Sequence, residues 1–296
     1  MGIQFVDKYA NGAKLDGADP EAAYQMVPLG GRRSVAVKTD AAPCMLSVTD
    51  TAKCVMSDFT DTKTKAVFRA GSAHALRLPA NTGISFFVEG LSPGFSALKL
   101  TEDSRFQIST DMTISVKAPR ALTYCFVFLS DIVRRNVRGQ IEPRVLMQGV
   151  APLFLEQANV ELRELGHMRD VMVMRDLGDP IVASDDSRLA AIVAATSAET
   201  MASVDFVIYC CWNIEINARS RDTLALAIGN KYAFLEVTSA DFDHRVHAVA
   251  HEFGHLMGLH HTRDNTLMFR NDLGRSNRVT SGDIEVLNPP VGGILP

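Results

Sequence analysis

The chain has 296 residues, of which 47% are apolar and 22% charged, with a formal net charge of −4 and a pI near 6.1. That composition predicts a soluble protein large enough for two domains, and the mildly acidic balance excludes the basic footprint of a nucleic-acid-binding protein. The longest apolar runs, such as "ALTYCFVFL" and "ASVDFVIYCCW", fall short of the roughly 20 residues of a membrane-spanning helix.

The opening "MGIQFVDKYANGAKLDGADPEAAYQ" lacks the basic start, apolar run and small-residue cleavage site of a Sec signal. The expectation is a protein cytoplasmic as synthesised, with a leaderless route if it is exported. From about residue 20 to 118, short alternating runs recur between Gly, Pro, Asp, Asn and Ser breaks. They include "RSVAVKT", "CMLSVTD", "HALRLPA", "ISFFVEG", "SALKLTED" and "MTISVKAP", a rhythm that predicts an antiparallel all-β sandwich. The stretch "VEGLSPGFSALKLTED" resembles the late strands of bacterial immunoglobulin-like domains. That implies an Ig-like accessory domain over 1–118, with a surface available to a protein partner. Cys44 and Cys54 could bridge two neighbouring strands or serve as two small buried hydrophobes; the second is the commoner state of free cysteine. Five cysteines in a chain this long argue against a disulfide scaffold.

After Pro119 the rhythm changes to long strands alternating with helical segments, which places a second domain over 119–296. "LTYCFVFLSD" reads as an interior strand, and "PRVLMQGVAPLFLEQANVELREL" as a helix kinked or split at Pro152. "RDVMVMRD" then reads as a strand, "DSRLAAIVAATSAETM" as a helix or helical turn, "VDFVIYCCWNIEI" as a buried strand and "TLALAIGNKYAFLEV" as a strand or hairpin about Gly229–Asn230. "DHRVHAVAHEFGHLMG" follows as a helix stopped by Gly258. "SDDS" at 184–187 could bind a structural calcium ion or, more commonly for such residues, cap a helix. Arg134, Arg135, Arg138 and Arg144 could form an anion-binding surface or a solvated one.

The chemistry concentrates in "HEFGHLMGLHH", residues 251–261. Positions four apart on a helix share a face, so His251 and His255 can grip one metal ion. Glu252, beside the first ligand, can act as general base without coordinating the ion. Gly258 permits a sharp turn that returns His261 as a third ligand. Three imidazole nitrogens leave a fourth coordination position for water, as in catalytic zinc sites. Chance supplies the pattern on the order of once in ten thousand such chains, so incidental surface histidines do not account for it. His247 precedes His251 by one turn but lacks the following glutamate, and His260 adjoins His261. Both are expected outside the ligand set, and His74, His167 and His244 show no ligand spacing.

The motif His-Glu-x-x-His-x-x-Gly-x-x-His, followed seven residues later by Met268, resembles the metzincin clan of zinc peptidases. "HEFGHLMGLHH" and the Leu267–Met268 pair are most similar to the matrixin branch. Thr262 stands where matrixins usually carry serine, and Arg270 where astacin-like and serralysin-like enzymes carry tyrosine, so the branch stays open. No cysteine-switch propeptide precedes the segment. The resemblance implies an α+β metzincin-type zincin domain, one catalytic zinc ion, a turn at Met268 beneath the imidazoles, and hydrolysis of protein or peptide substrates. The implied fold class is thus an all-β Ig-like sandwich followed by an α+β metzincin-type catalytic domain. The competing function is a catalytically silent binding or delivery protein, or a secreted effector, built on the same scaffold.

Overall fold

In the computed structural model the described residues are 4–6, 23–103, 108–166, 168–217, 223–236, 241–263, 266–269 and 276–290. The chain divides into two compact units. One comprises Met1–Pro119, Gln157–Asn159 and Arg278–Pro296; the other comprises Arg120–Glu156 and Val160–Asn277. The first unit therefore takes back the C-terminal helix and a short piece near residue 158.

The first unit holds two five-stranded sheets. One runs β1 (Gln4–Val6), β3 (Arg32–Lys38), β8 (Gly83–Gly90), β5 (Cys54–Asp61), β6 (Val67–Ala73). The other runs β2 (Ala23–Pro28), β10 (Ser109–Lys117), β9 (Gly94–Glu102), β4 (Cys44–Val48), β7 (Ala75–Leu78). Alternate residues of both sheets, among them Val35, Leu46, Met56, Phe86, Leu98 and Ile114, meet in one apolar core, the expected outcome of period-two patterning. β2 pairs parallel to β10, whereas β9 and β10 pair antiparallel. Cys44 and Cys54 are free and buried. They start successive strands in opposite sheets, so the length of β4 lies between them and no bridge forms.

In the second unit β11 (Arg120–Asp131) is the central strand. Its first half pairs parallel with β12 (Val160–Glu164), its second half with β13 (Arg169–Val173), and its other edge with β15 (Phe206–Cys211). β18 (Tyr232–Glu236) adds parallel to β15, and β17 (Ala225–Ile228) closes the edge antiparallel through a turn at Gly229, φ +61°. β11 is buried without a break from Tyr124 to Leu129 because both of its faces are covered there. Cys125, Val127 and Leu129 enter a core that includes Ile192 of α2 (Asp186–Ala195). Tyr124 turns the other way, where its ring meets Phe253 of α4 (Phe242–Leu256). β14 (Ile181–Val182) and β16 (Ile214–Glu215) form a separate two-stranded sheet, and α3 (Ala198–Ser203) follows α2.

The expected fold class requires correction. Among the described residues the chain is mostly β, with eighteen strands in four sheets against five helices, not an Ig-like sandwich followed by an α+β metzincin-type domain. The reason is visible where apolar residues at helical spacing run on past the end of a helix. α1 (Pro143–Ala158) carries Pro152 inside it and ends at Asn159, whose φ of +54° leaves the helix. The following "VELRE" then alternates buried and exposed as β12. Likewise "DSRLAAIVAATSAETM" breaks into α2 and α3 at Ser197, whose side chain caps the second. The described part of the C-terminal segment contributes α5 (Ser281–Leu287), opened by a capping box between Thr280 and Asp283.

Candidate metal centre

α4 starts at Asp241, whose carboxylate accepts the His244 N–H, and is seated by Phe253, fully buried between the rings of Tyr124 and Phe206. Its end is a Schellman motif. The Leu259 N–H bonds Gly254 O at 2.9 Å and the Gly258 N–H bonds His255 O at 3.0 Å, with Gly258 at φ +96°. This left-handed turn reverses the chain and carries His261 back towards the helix. Phe269 N–H closes a turn onto Thr266 O, while Thr262 N–H bonds Met268 O at 2.9 Å. Met268 is fully buried, and a Cβ at position 254 would run into its Sδ. Glycine at position 254 of this helix is therefore the residue that lets Met268 lie beneath it.

The three expected ligands come together. The Nε2 atoms of His251, His255 and His261 lie 3.1–3.2 Å apart pairwise. Among the described residues they form the one group of three or more His, Cys, Asp or Glu able to hold a metal. His251 Nδ1 faces Leu267 O at 2.8 Å and His255 Nδ1 faces Leu259 O at 2.9 Å. A carbonyl oxygen only accepts, so each neutral ring keeps its hydrogen on Nδ1 and turns a bare lone pair at Nε2 towards the other. Converging lone pairs repel unless a cation lies between them. Two nitrogens about 2.0–2.1 Å from one tetrahedral ion stand about 3.3–3.4 Å apart, close to the spacing here, so the donor set fits a zinc-sized ion. The two carbonyls supply the outer-shell orientation that metal-binding histidines need.

Glu252, one residue along the helix, is half-buried, and its Oε2 accepts the Ala227 N–H of β17 at 2.6 Å. His247 is half-buried; His74, His244 and His260 are exposed; none of them joins the cluster. His167 and Arg270 lie outside the described residues. Asp185 of "SDDS" caps α2, accepting from the Ser187 and Arg188 N–H groups and pairing with the Arg188 guanidinium at 3.0 Å. Arg134 pairs with Asp131 and Asp176, Arg138 with Asp170, and Arg144 in bidentate fashion with Glu164. Their charge is spent on neighbouring carboxylates, which leaves Arg135 alone of the four without such a pair in the described structure. Sequence reasoning missed the Leu259 and Leu267 carbonyls, Ala227, and the role of Gly254. Only Gly254 carried a signal, since a glycine inside a helix marks a close approach.

No family model matches the chain, and no curated protein does. Among solved structures it is similar to domains 1–6 of the surface layer protein SbsC (9% identity, TM-score 0.24, covering 34% of this chain and 12% of that one). Domains 4 and 5 of the S-layer protein SbsC also match (9%, TM-score 0.22, 32% and 48%). So does the multicopper oxidase Fet3p (6%, TM-score 0.24, 31% and 19%). These matches span less than half of each of those chains. Among the described residues no helix is long and apolar enough to cross a membrane.

Proposed function

We propose that the protein is a zinc-dependent endopeptidase in which His251, His255 and His261 hold the ion through Nε2 and Glu252 is the general base. The observation that carries this reading is the convergence of three Nε2 atoms at 3.1–3.2 Å, two of them on the helix that also bears the Glu252 carboxylate. Bound zinc supplies Lewis-acid polarisation of a substrate carbonyl and lowers the pKa of a coordinated water. Glu252 takes the proton from the attacking water and returns it to the departing amine as the C–N bond breaks. An extended peptide adds its main chain to the outer side of β17, the last strand of its sheet among the described residues, where Ala225 and Ala227 turn their backbone outward and main-chain hydrogen bonds orient it. Imidazole donors also suit copper, iron and nickel; the adjacent glutamate and the likeness of the motif to metzincin peptidases favour zinc.

The test is chelator-sensitive cleavage of an unstructured protein such as casein, measured with the metal content of the chain. One zinc per chain and cleavage lost in 1,10-phenanthroline support the proposal. Glu252→Ala should keep zinc and lower turnover by about 10²–10⁴-fold, the usual contribution of a positioned base. Turnover within a few-fold of wild type in that variant would remove Glu252 from the mechanism.

A further inference from the structure

We propose that the backbone N–H of Ala227 is the positioning group for Glu252, so that the strand edge offered to substrate also fixes the rotamer of the base. This rests on the peptidase reading of Glu252.

In the register of the β17–β18 pair, Leu226 opposes Phe234 and Ile228 opposes Tyr232, and the Glu236 N–H bonds Leu224 O at 3.0 Å. Backbone direction alternates along a strand, so Leu224, Leu226 and Ile228 turn their polar groups to β18, while Ala225 and Ala227 turn theirs to the open side. An outward N–H on an edge strand is ordinarily left to water or to a docking strand. Here it ends on a carboxylate oxygen at 2.6 Å, the short separation of a charge-assisted bond. Glutamate has three rotatable side-chain bonds, and Glu252 sits on a helix face beside the metal ligands. A second fixed point restrains the carboxylate where catalysis needs it, and misplacement by about 1 Å can cost about 100-fold in rate. Docking also follows from this arrangement. A peptide adding to the edge finds the Ala227 C=O ready to accept, whereas the neighbouring N–H is already committed. The substrate carbonyl opposite that N–H is thus the one not drawn into the ladder.

Two measurements test the role. Amide hydrogen exchange of the intact chain compares wild type with Glu252→Ala. The Ala227 amide should exchange at least about tenfold faster in the variant, while Leu226 and Ile228, bonded to β18, keep their rates. Equal Ala227 rates in the two proteins would overturn the inference. The second measurement uses Ala227→Pro, which deletes this hydrogen from an edge position where proline removes no ladder bond. The expected result is a kcat about 10- to 100-fold lower with KM within about twofold and zinc content unchanged. A raised KM with unchanged kcat would assign the N–H to substrate docking alone and overturn the positioning role. Should the proline variant fail to fold, the exchange comparison decides by itself. A wild type that cleaves nothing while Ala227 stays protected would overturn the peptidase reading, and this role with it. A wild type that cleaves while Ala227 is unprotected would overturn this role alone.

Discussion

Two clusters of polar side chains, one in each unit, differ in what they lack. In the first unit Lys117 and Glu285 form a buried ion pair, and Glu285 Oε1 also accepts from the hydroxyls of Tyr24 and Ser115. Donors match acceptors and positive charge meets negative, so the cluster is complete as folded. In the second unit three imidazoles turn the same kind of atom inward, with bare lone pairs on His251 and His255 and no counter-charge among them. A closed network is a structural device, whereas a convergent set of identical donors is built for something that comes from outside. The criterion is whether the cluster balances itself, not how buried it is: His261 is exposed and Lys117 is not.

The sharpest way to break this comparison is to remove one nitrogen. His255→Ala should abolish both turnover and the response to zinc. Wild-type protein in zinc at 100 times its dissociation constant gains about 2.7 kcal/mol of stability, and the variant should gain none, as read from urea midpoints with and without the metal. Equal zinc-dependent shifts in the two proteins would mean that the ion binds elsewhere.

The closed cluster should respond in the opposite sense, through stability and not through metal. Glu285→Gln leaves the Lys117 ammonium buried without its counter-charge, and removing one partner of such a pair costs about 3–5 kcal/mol. Replacing both, as Lys117→Met with Glu285→Leu, should recover most of that loss, because a well-packed apolar pair of similar volume is often as stable as the ions. Zinc content should be unaffected by any of these variants. A single variant no less stable than wild type would show that the pair contributes nothing to the fold.

The sequence disclosed the open cluster far better than the closed one, and the reason is range. His251, His255, Gly258 and His261 lie within eleven residues, so helix periodicity and one turn suffice to converge them. Lys117 and Glu285 are 168 residues apart, and nothing local to α5, which carries Glu285, points to a partner that distant. The strands β3, β4, β8, β9 and β10 were legible because one face of each is buried against a shared core. β2 and β5 were not, since "AYQMVP" and "CVMSDFTD" do not alternate apolar and polar residues. β12 was hidden by the opposite error: apolar residues at helical spacing continue from α1 into "VELRE", and only the left-handed Asn159 separates them. The Glu252–Ala227 bond had no sequence signal at all, because its donor is a backbone amide.

The smallest expected effect concerns protons, and it separates the two parts of the closed cluster. Burial holds the Lys117 ammonium below the usual lysine value of 10.5, outweighing the hydrogen bond and charge of Glu285, which act to raise it. A base whose folded pKa is lowered binds fewer protons folded than unfolded in the window between its own pKa and 10.5, so stability must rise with pH across that window. The slope for one proton is at most about 1.4 kcal/mol per pH unit. Urea midpoints taken from pH 8 to 10.5 should therefore climb more steeply in wild type than in Lys117→Met. Parallel profiles would mean that the ion pair, not burial, sets the protonation of Lys117, and the first unit's cluster would then owe its closure to charge and not to shape.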